Sequence, residues 1–145
     1  MDTLSRFYDA VKNEMVMTLA TAEGGSVTMR MVSPVYCDGD ILIFTSPDSM
    51  KYRQLSANPN CCVGVGGFFA EAGARFMGAT MTEANAALRQ VYDAKFPGAF
   101  DEGVPLGGRD AEFILLHPRK IKGWAFENDV PTPDGIPTVP FELEL

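Results

Sequence analysis

A chain of 145 residues with ordinary apolar content can build one domain around its own core, without disulfide staples. A net charge of −7 argues against a general nucleic-acid surface, which needs basic groups to displace counterions, but it is compatible with a local positive site for a small anion. No apolar run reaches the roughly 20 residues of a membrane helix. Residues 1–14 mix acids with apolar side chains, so neither membrane insertion nor export is expected and the cytoplasm is the expected location.

Residues 2–14 place Leu4, Phe7, Tyr8 and Val11 on one helical face, with Asp2 or Thr3 available as N-cap. Met15–Ala22 is short and β-branched at its centre and predicts a strand. Glu23-Gly24-Gly25 turns it back into a second strand over Ser26–Tyr36. Asp38-Gly39-Asp40 is the next turn, leading into a buried strand at Ile41–Thr45. Ser46-Pro47-Asp48-Ser49 then predicts a helix start, with a capping serine and proline at the first helical position; the helix it opens, Met50–Ala57, ends near Asn58-Pro59. Cys61–Gly67 and Ala74–Met81 read as strands. Residues 82–96 give the clearest helix, capped by Thr82, with Ala86, Leu88, Val91, Tyr92 and Phe96 available for burial. A Pro/Gly-rich loop spans Pro97–Arg109. The last strands, Glu112–Leu116 and Lys120–Phe126, are expected to bend at His117-Pro118. The pattern predicts a mainly β or α+β fold, an antiparallel barrel of six strands or so with flanking helices. Residues 1–126 form the domain. The proline-rich tail, 127–145, is expected to wrap its surface or cross to a partner subunit.

Two stretches carry charge chemistry. The segment Phe44 to Lys51 ends a buried strand, offers the hydroxyls of Thr45, Ser46 and Ser49, and opens a helix with Lys51 in its first turn. Free N–H groups at a helix start carry partial positive charge and suit a phosphate, while a plain capped surface helix is the alternative. Asp48 must face away from any such anion. In Thr28-Met29-Arg30-Met31-Val32, strand alternation puts Thr28, Arg30 and Val32 on one face. A guanidinium in mid-strand binds phosphate through a two-pronged fork, or else lies on an exposed edge or pairs with an acid.

The order of these signals resembles a known family. A strand with LATA and a glycine turn precedes R-x-V; then come D-G-D, a strand ending F-T-S, S-x-K opening a helix, N-P-N, and a late P-x-K-I-x-x-W. Over residues 10–126 this is similar to the pyridoxamine 5′-phosphate oxidase-like, FMN-binding split-barrel proteins, particularly small stand-alone members of general-stress-protein type. The resemblance implies a split β-barrel and a homodimer with two FMN sites, each built from both subunits. It further implies that Arg30, Met31 and Val32 run along the flavin and its phosphate arm. Thr45, Ser46, Ser49 and Lys51 are then the phosphate cradle, and Trp124 contacts the cofactor, usually from the other subunit. A core role for Trp124 is the alternative.

Such proteins leave redox chemistry to FMN, so no catalytic side chain is singled out. The implied function is an FMN-dependent oxidoreductase or reductase of a small molecule, with a reduced nicotinamide as electron donor. A flavin-binding or redox-sensing module without turnover and a related barrel holding deazaflavin or haem are the alternatives. Oxidation of pyridoxamine phosphate itself is not expected, because Phe126-Glu127-Asn128-Asp129 stands where that activity's R-x-H signature belongs. Three cysteines, Cys37, Cys61 and Cys62, with no CxxC and a single histidine, speak against zinc. They are expected to be buried reduced thiols, with a Cys61–Cys62 relay to the flavin as the other reading. His117 is expected to be structural. The glycines of Gly64–Gly67 are not a dinucleotide fingerprint, because no helix is expected to follow them.

Overall fold

The computed structural model describes residues 2–145. The chain opens with helix α1 (Thr3–Asn13), capped by Asp2, whose carboxylate accepts from the Ser5 N–H. The face read from the sequence is the one that packs: Phe7 and Val11 are fully buried, with Leu4 and Tyr8 against them.

Strands β1 (Met17–Glu23) and β2 (Ser26–Val32) form the expected hairpin. Gly24 and Gly25, both at positive φ, form its turn, a backbone that matches the strand twist. The second strand stops earlier than expected, because Ser33-Pro34 interrupts pairing and β3 (Val35–Cys37) starts afresh. Asp38 and Gly39, also at positive φ, turn β3 into β4 (Asp40–Thr45). Helix α2 (Met50–Ala57) leads to β5 (Asn60–Val65) and β6 (Phe68–Ala79). The β5–β6 turn is Gly66-Gly67, so these glycines lie at a hairpin rather than inside a strand, and the next element is a strand. A single 3₁₀ turn (Glu83–Asn85) precedes α3 (Ala86–Lys95). Thr82 does not cap it; its hydroxyl donates back to Ala79 O. Tyr92 is the buried anchor of α3, whereas Ala86 and Val91 are exposed, a correction to the helical face read from sequence.

Strand β7 (Glu112–Ala125) runs unbroken through His117-Pro118. The expected bend is a bulge: Lys120 pairs Glu71 and Pro118 pairs Ala72, leaving Arg119 as the extra residue. Pro118 has no N–H to give the ladder, and a bulge is where a strand tolerates that. No strand was expected in the proline-rich tail, yet its end is β8 (Val139–Glu144), which pairs with β7 of the same chain. Phe141 turns inward onto Phe68. The sheet order is β2-β1-β5-β6-β7-β4-β3, with β8 beside β4 on the same side of β7. Eight strands, not six, thus make an open, split barrel; β3 and β8 are the additions.

Two hydrophobic clusters explain the continuous apolar runs in β4 and β7. Ile41, Ile43, Ile114 and Leu116 face the barrel interior with Leu19, Val63 and Ile121. Leu42, Phe113 and Leu115 face outward under Tyr92, Phe96 and Phe100. Strands buried on both faces lose the polar alternation of half-exposed ones. The loop between α3 and β7 is pinned to this second cluster by Phe100, whose ring lies 5.7–5.9 Å from those of Phe113, Phe44 and Tyr92. Lys95 links three segments, its Nζ donating to Val11 O, Glu14 O and Pro34 O at 2.6–2.8 Å.

Candidate functional site

One end of the barrel gathers unneutralised positive charge. Arg30 projects from β2 on the same face as Thr28 and Val32, as strand alternation requires. Its Nη1 donates to Leu19 O (3.2 Å) and Thr21 Oγ1 (2.7 Å), and its Nη2 donates to Thr28 Oγ1 (2.5 Å). Of the five guanidinium protons this leaves Nε–H and one on Nη2 without an acceptor among the described residues. Lys51 lies close enough that its ammonium is held below the ordinary lysine value, first by burial and then by the like charge of Arg30. Burial also lowers the Arg30 value. Among the described residues neither cation has a carboxylate partner.

The start of α2 adds donors. Pro47 lies in a turn closed by the Ser49 N–H donating to Ser46 O (3.1 Å), which places proline where a turn favours it. The helix therefore spans Met50–Ala57 as read from the sequence, with Ser49 as its N-cap, while Pro47 precedes it instead of taking the first helical position. Ser49 Oγ accepts from the Tyr52 N–H (3.2 Å) and lies 2.9 Å from Thr45 Oγ1. The N–H groups of Met50 and Lys51 have no acceptor among the described residues. Asp48 is exposed; its N–H donates to Ser46 Oγ. Thr45, Ser49, Lys51 and Arg30 are thus the predicted residues that the fold brings to one region, with Ser46 at its exposed rim.

The sequence reading missed Gln54, and it named Thr28 only for its face. Gln54, 2% exposed, lies one turn along α2 from Lys51, and its Oε1 accepts from both Thr21 and Thr28 at 2.5 Å. Two signals pointed to this cluster: a glutamine three positions after the lysine, and threonines directly opposite each other in the β1–β2 register.

The other predicted residues sit elsewhere. Val32 packs in the core, so its side chain is closed to a ligand. Met31 is 64% exposed on the opposite face of β2 from Arg30. There it joins Val16, Met29 and Phe69 in lining an apolar groove of about 570 Å³ on the outside of the sheet.

The family profile described as pyridoxamine 5′-phosphate oxidase matches residues 5–125, nearly all of this barrel. The chain belongs to the pyridoxamine 5′-phosphate oxidase family. Three solved structures illustrate how broad the fold is. A putative pyridoxamine 5′-phosphate oxidase from Listeria innocua is 13% identical, covering 83% of this chain and 96% of that one at a TM-score of 0.65. An FAD-binding protein from Mesorhizobium loti is 16% identical, with coverages of 83% and 92% and a TM-score of 0.65. A haem storage protein from Vibrio cholerae is 14% identical, with coverages of 90% and 100% and a TM-score of 0.70. At such identities the likeness is one of fold. No curated protein matches the chain in sequence.

Family membership does not decide the roles of the late residues. Trp124, at the end of β7 opposite Pro140, is 57% exposed and lies beside Gly67, Pro137 and Thr138. It is therefore not a core residue. Residues 127–129 form a tight turn with Asn128 and Asp129 at positive φ, and Asp129 pairs with Arg6 at 3.0 Å. Cys61 and Cys62 point to opposite faces of β5. The first is buried, its thiol pushed up to about 12 by burial, and the second is exposed, which corrects the expectation that all the thiols are buried. Opposed side chains do not form a dithiol relay. His117 is on the surface, its Nδ1 2.7 Å from Asp40 Oδ1.

Proposed function

We propose that this protein binds FMN by its phosphate at the Arg30–Lys51 end of the barrel and serves as a flavin-dependent oxidoreductase of a small molecule, with a reduced nicotinamide as electron donor. The observation that carries the reading is the pair of uncompensated cations beside the open N–H groups of α2. A terminal phosphate fits this set. Arg30 offers two free guanidinium protons, Lys51 a full charge, Met50 and Lys51 their backbone donors, and the Thr45–Ser49 pair the one hydroxyl proton that their mutual hydrogen bond leaves over. The flavin supplies the redox chemistry when bound. The chain's own residues anchor its phosphate arm and hold two cations in place for it.

The apolar outer face suggests how the rest of the site is completed. Met29 and Met31 are 72% and 64% exposed, and Val27, Phe69 and Val16 continue the same surface. Neighbouring exposed apolar side chains of this kind are what an interface between proteins uses. We assign it to a second copy of the chain, in a cytoplasmic homodimer that brings Met31 and Trp124 of one subunit toward the flavin of the other.

An absorption spectrum after addition of FMN and removal of the excess tests the cofactor. Retained flavin bands at about one per chain support the proposal. A protein that takes up haem or deazaflavin instead, or nothing, defeats it. NADH- or NADPH-dependent bleaching of the bound flavin separates an enzyme from a module without turnover.

A further inference from the structure

Among the described residues Arg30 has no acid partner; besides Leu19 O, what holds it is a three-residue hydrogen-bond relay of Thr21, Thr28 and Gln54. Each threonine hydroxyl has one proton to give and lone pairs to receive. The amide oxygen of Gln54 takes the protons of both Thr21 and Thr28, at 2.5 Å each. Their lone pairs are thereby left for Arg30, and the end-on fork of the guanidinium closes on them at 2.7 and 2.5 Å. Remove Gln54 and both hydroxyl protons lose their common acceptor; the hydroxyls, 3.4 Å apart, are then free to rotate and to donate to each other, so their lone pairs are no longer held toward Arg30.

We infer that Gln54 is a positioning residue for the ligand phosphate: it fixes the proton direction of Thr21 and Thr28, so that Arg30 is held by its end-on fork and turns its Nε/Nη2 edge to the anion. Gln54 and Lys51 share one helix, so the same element sets the placement of both cations. A glutamine suits this task because a carboxylate in its place would neutralise the charge that the phosphate needs, whereas a buried amide orients without competing. This rests on the flavin-phosphate reading above.

The test compares FMN with riboflavin, which shares the ring but lacks the phosphate, in the wild-type protein, Gln54→Met and Thr28→Val. Methionine keeps volume and helix propensity while removing the acceptor. Gln54→Met is expected to weaken FMN roughly tenfold while leaving riboflavin within about twofold. Combined with Thr28→Val, its loss should be smaller than the sum of the single effects, because both act through Arg30. Equal weakening of the two ligands, or an unchanged FMN-to-riboflavin ratio, overturns the inference. If Gln54→Met fails to fold, Thr28→Val alone carries the same comparison, as it lies on a partly exposed strand. A wild-type protein that binds no FMN defeats the cofactor reading, and inorganic phosphate then decides about Gln54. A phosphate-induced rise in Tm that Gln54→Met abolishes sustains the relay. An equal rise in both proteins, or none in the wild type, overturns it.

Discussion

At Arg30 and Lys51 two like charges share one end of the barrel, and burial holds each below its ordinary pKa. In the ligand-free protein this arrangement costs stability, since a lysine whose folded value is lowered destabilises the fold wherever it is still protonated. Lys51→Met should therefore raise the Tm of the ligand-free protein slightly, on the order of 1–2 °C because the group is only half-buried. The same change should weaken FMN by about a kcal/mol or more, read as a change in Kd by flavin fluorescence. A fall in both quantities would mean that Lys51 is structural. The pH dependence follows from the same shift. A bound phosphate raises the Lys51 value again, so FMN affinity is full below the lowered free-protein value and falls as pH rises through it, earlier than a solvated lysine would titrate. Titrating FMN binding in the wild type and in Lys51→Met checks this, because the variant should lose that limb of the profile. Arg30, Thr45, Ser49 and Lys51 were legible in the sequence because each belongs to a local pattern, a strand alternation or a helix start. Gln54 and Thr21 were not, since their value lies in a contact between β1, β2 and α2 that no single window displays.

Among the elements, β8 is the one that local reading lost. Its segment holds prolines and acids, and only Phe141 and Leu143 are partly buried, too few for a clear alternation among the tail's turns. Its pairing is supplied by the free side of β7, a tertiary fact. Phe141 is the anchor, 5.9 Å from Phe68 and against the backbone of Gly123, where an added Cβ would come within 3.1 Å of its ring. Phe141→Ala should lower the urea midpoint by an amount equivalent to about 1–2 kcal/mol, below the full cost of a buried phenylalanine because the ring is half-covered. An unchanged midpoint would show that β8 is not anchored there in solution. The place of Pro47 has a similar cause: Ser46 and Ser49 are both competent caps, and the turn through Pro47 leaves the capping to Ser49.

Over the whole molecule the fold class was readable, because glycine turns and short apolar runs alternate along the chain at strand spacing, and the family's signals fall in order along them. The burial of Ile41–Thr45 was readable too, for ILIFT shows no polar alternation; that Phe113 to Leu116 are buried beside it came from the structure. What periodicity could not give was the exposed apolar side of the β2–β1–β5–β6 sheet, where Met29, Met31 and Phe69 look like core residues until the structure leaves them outside. If a second copy covers that face, Met31→Glu should shift the particle from dimer to monomer by light scattering with an unchanged circular dichroism spectrum, since a charge there meets an apolar partner. A dimer that survives the change would place the interface elsewhere. Lys95 has a different reach. By holding Val11 O, Glu14 O and Pro34 O with one ammonium, it makes the end of α1, the β2–β3 connection and α3 answer to a single anchor. These segments should behave as one cooperative opening unit. Their slow backbone amides are expected to exchange with deuterium at a common free energy, and Lys95→Met should lower that value for all three together while leaving the β6–β7 amides as they were.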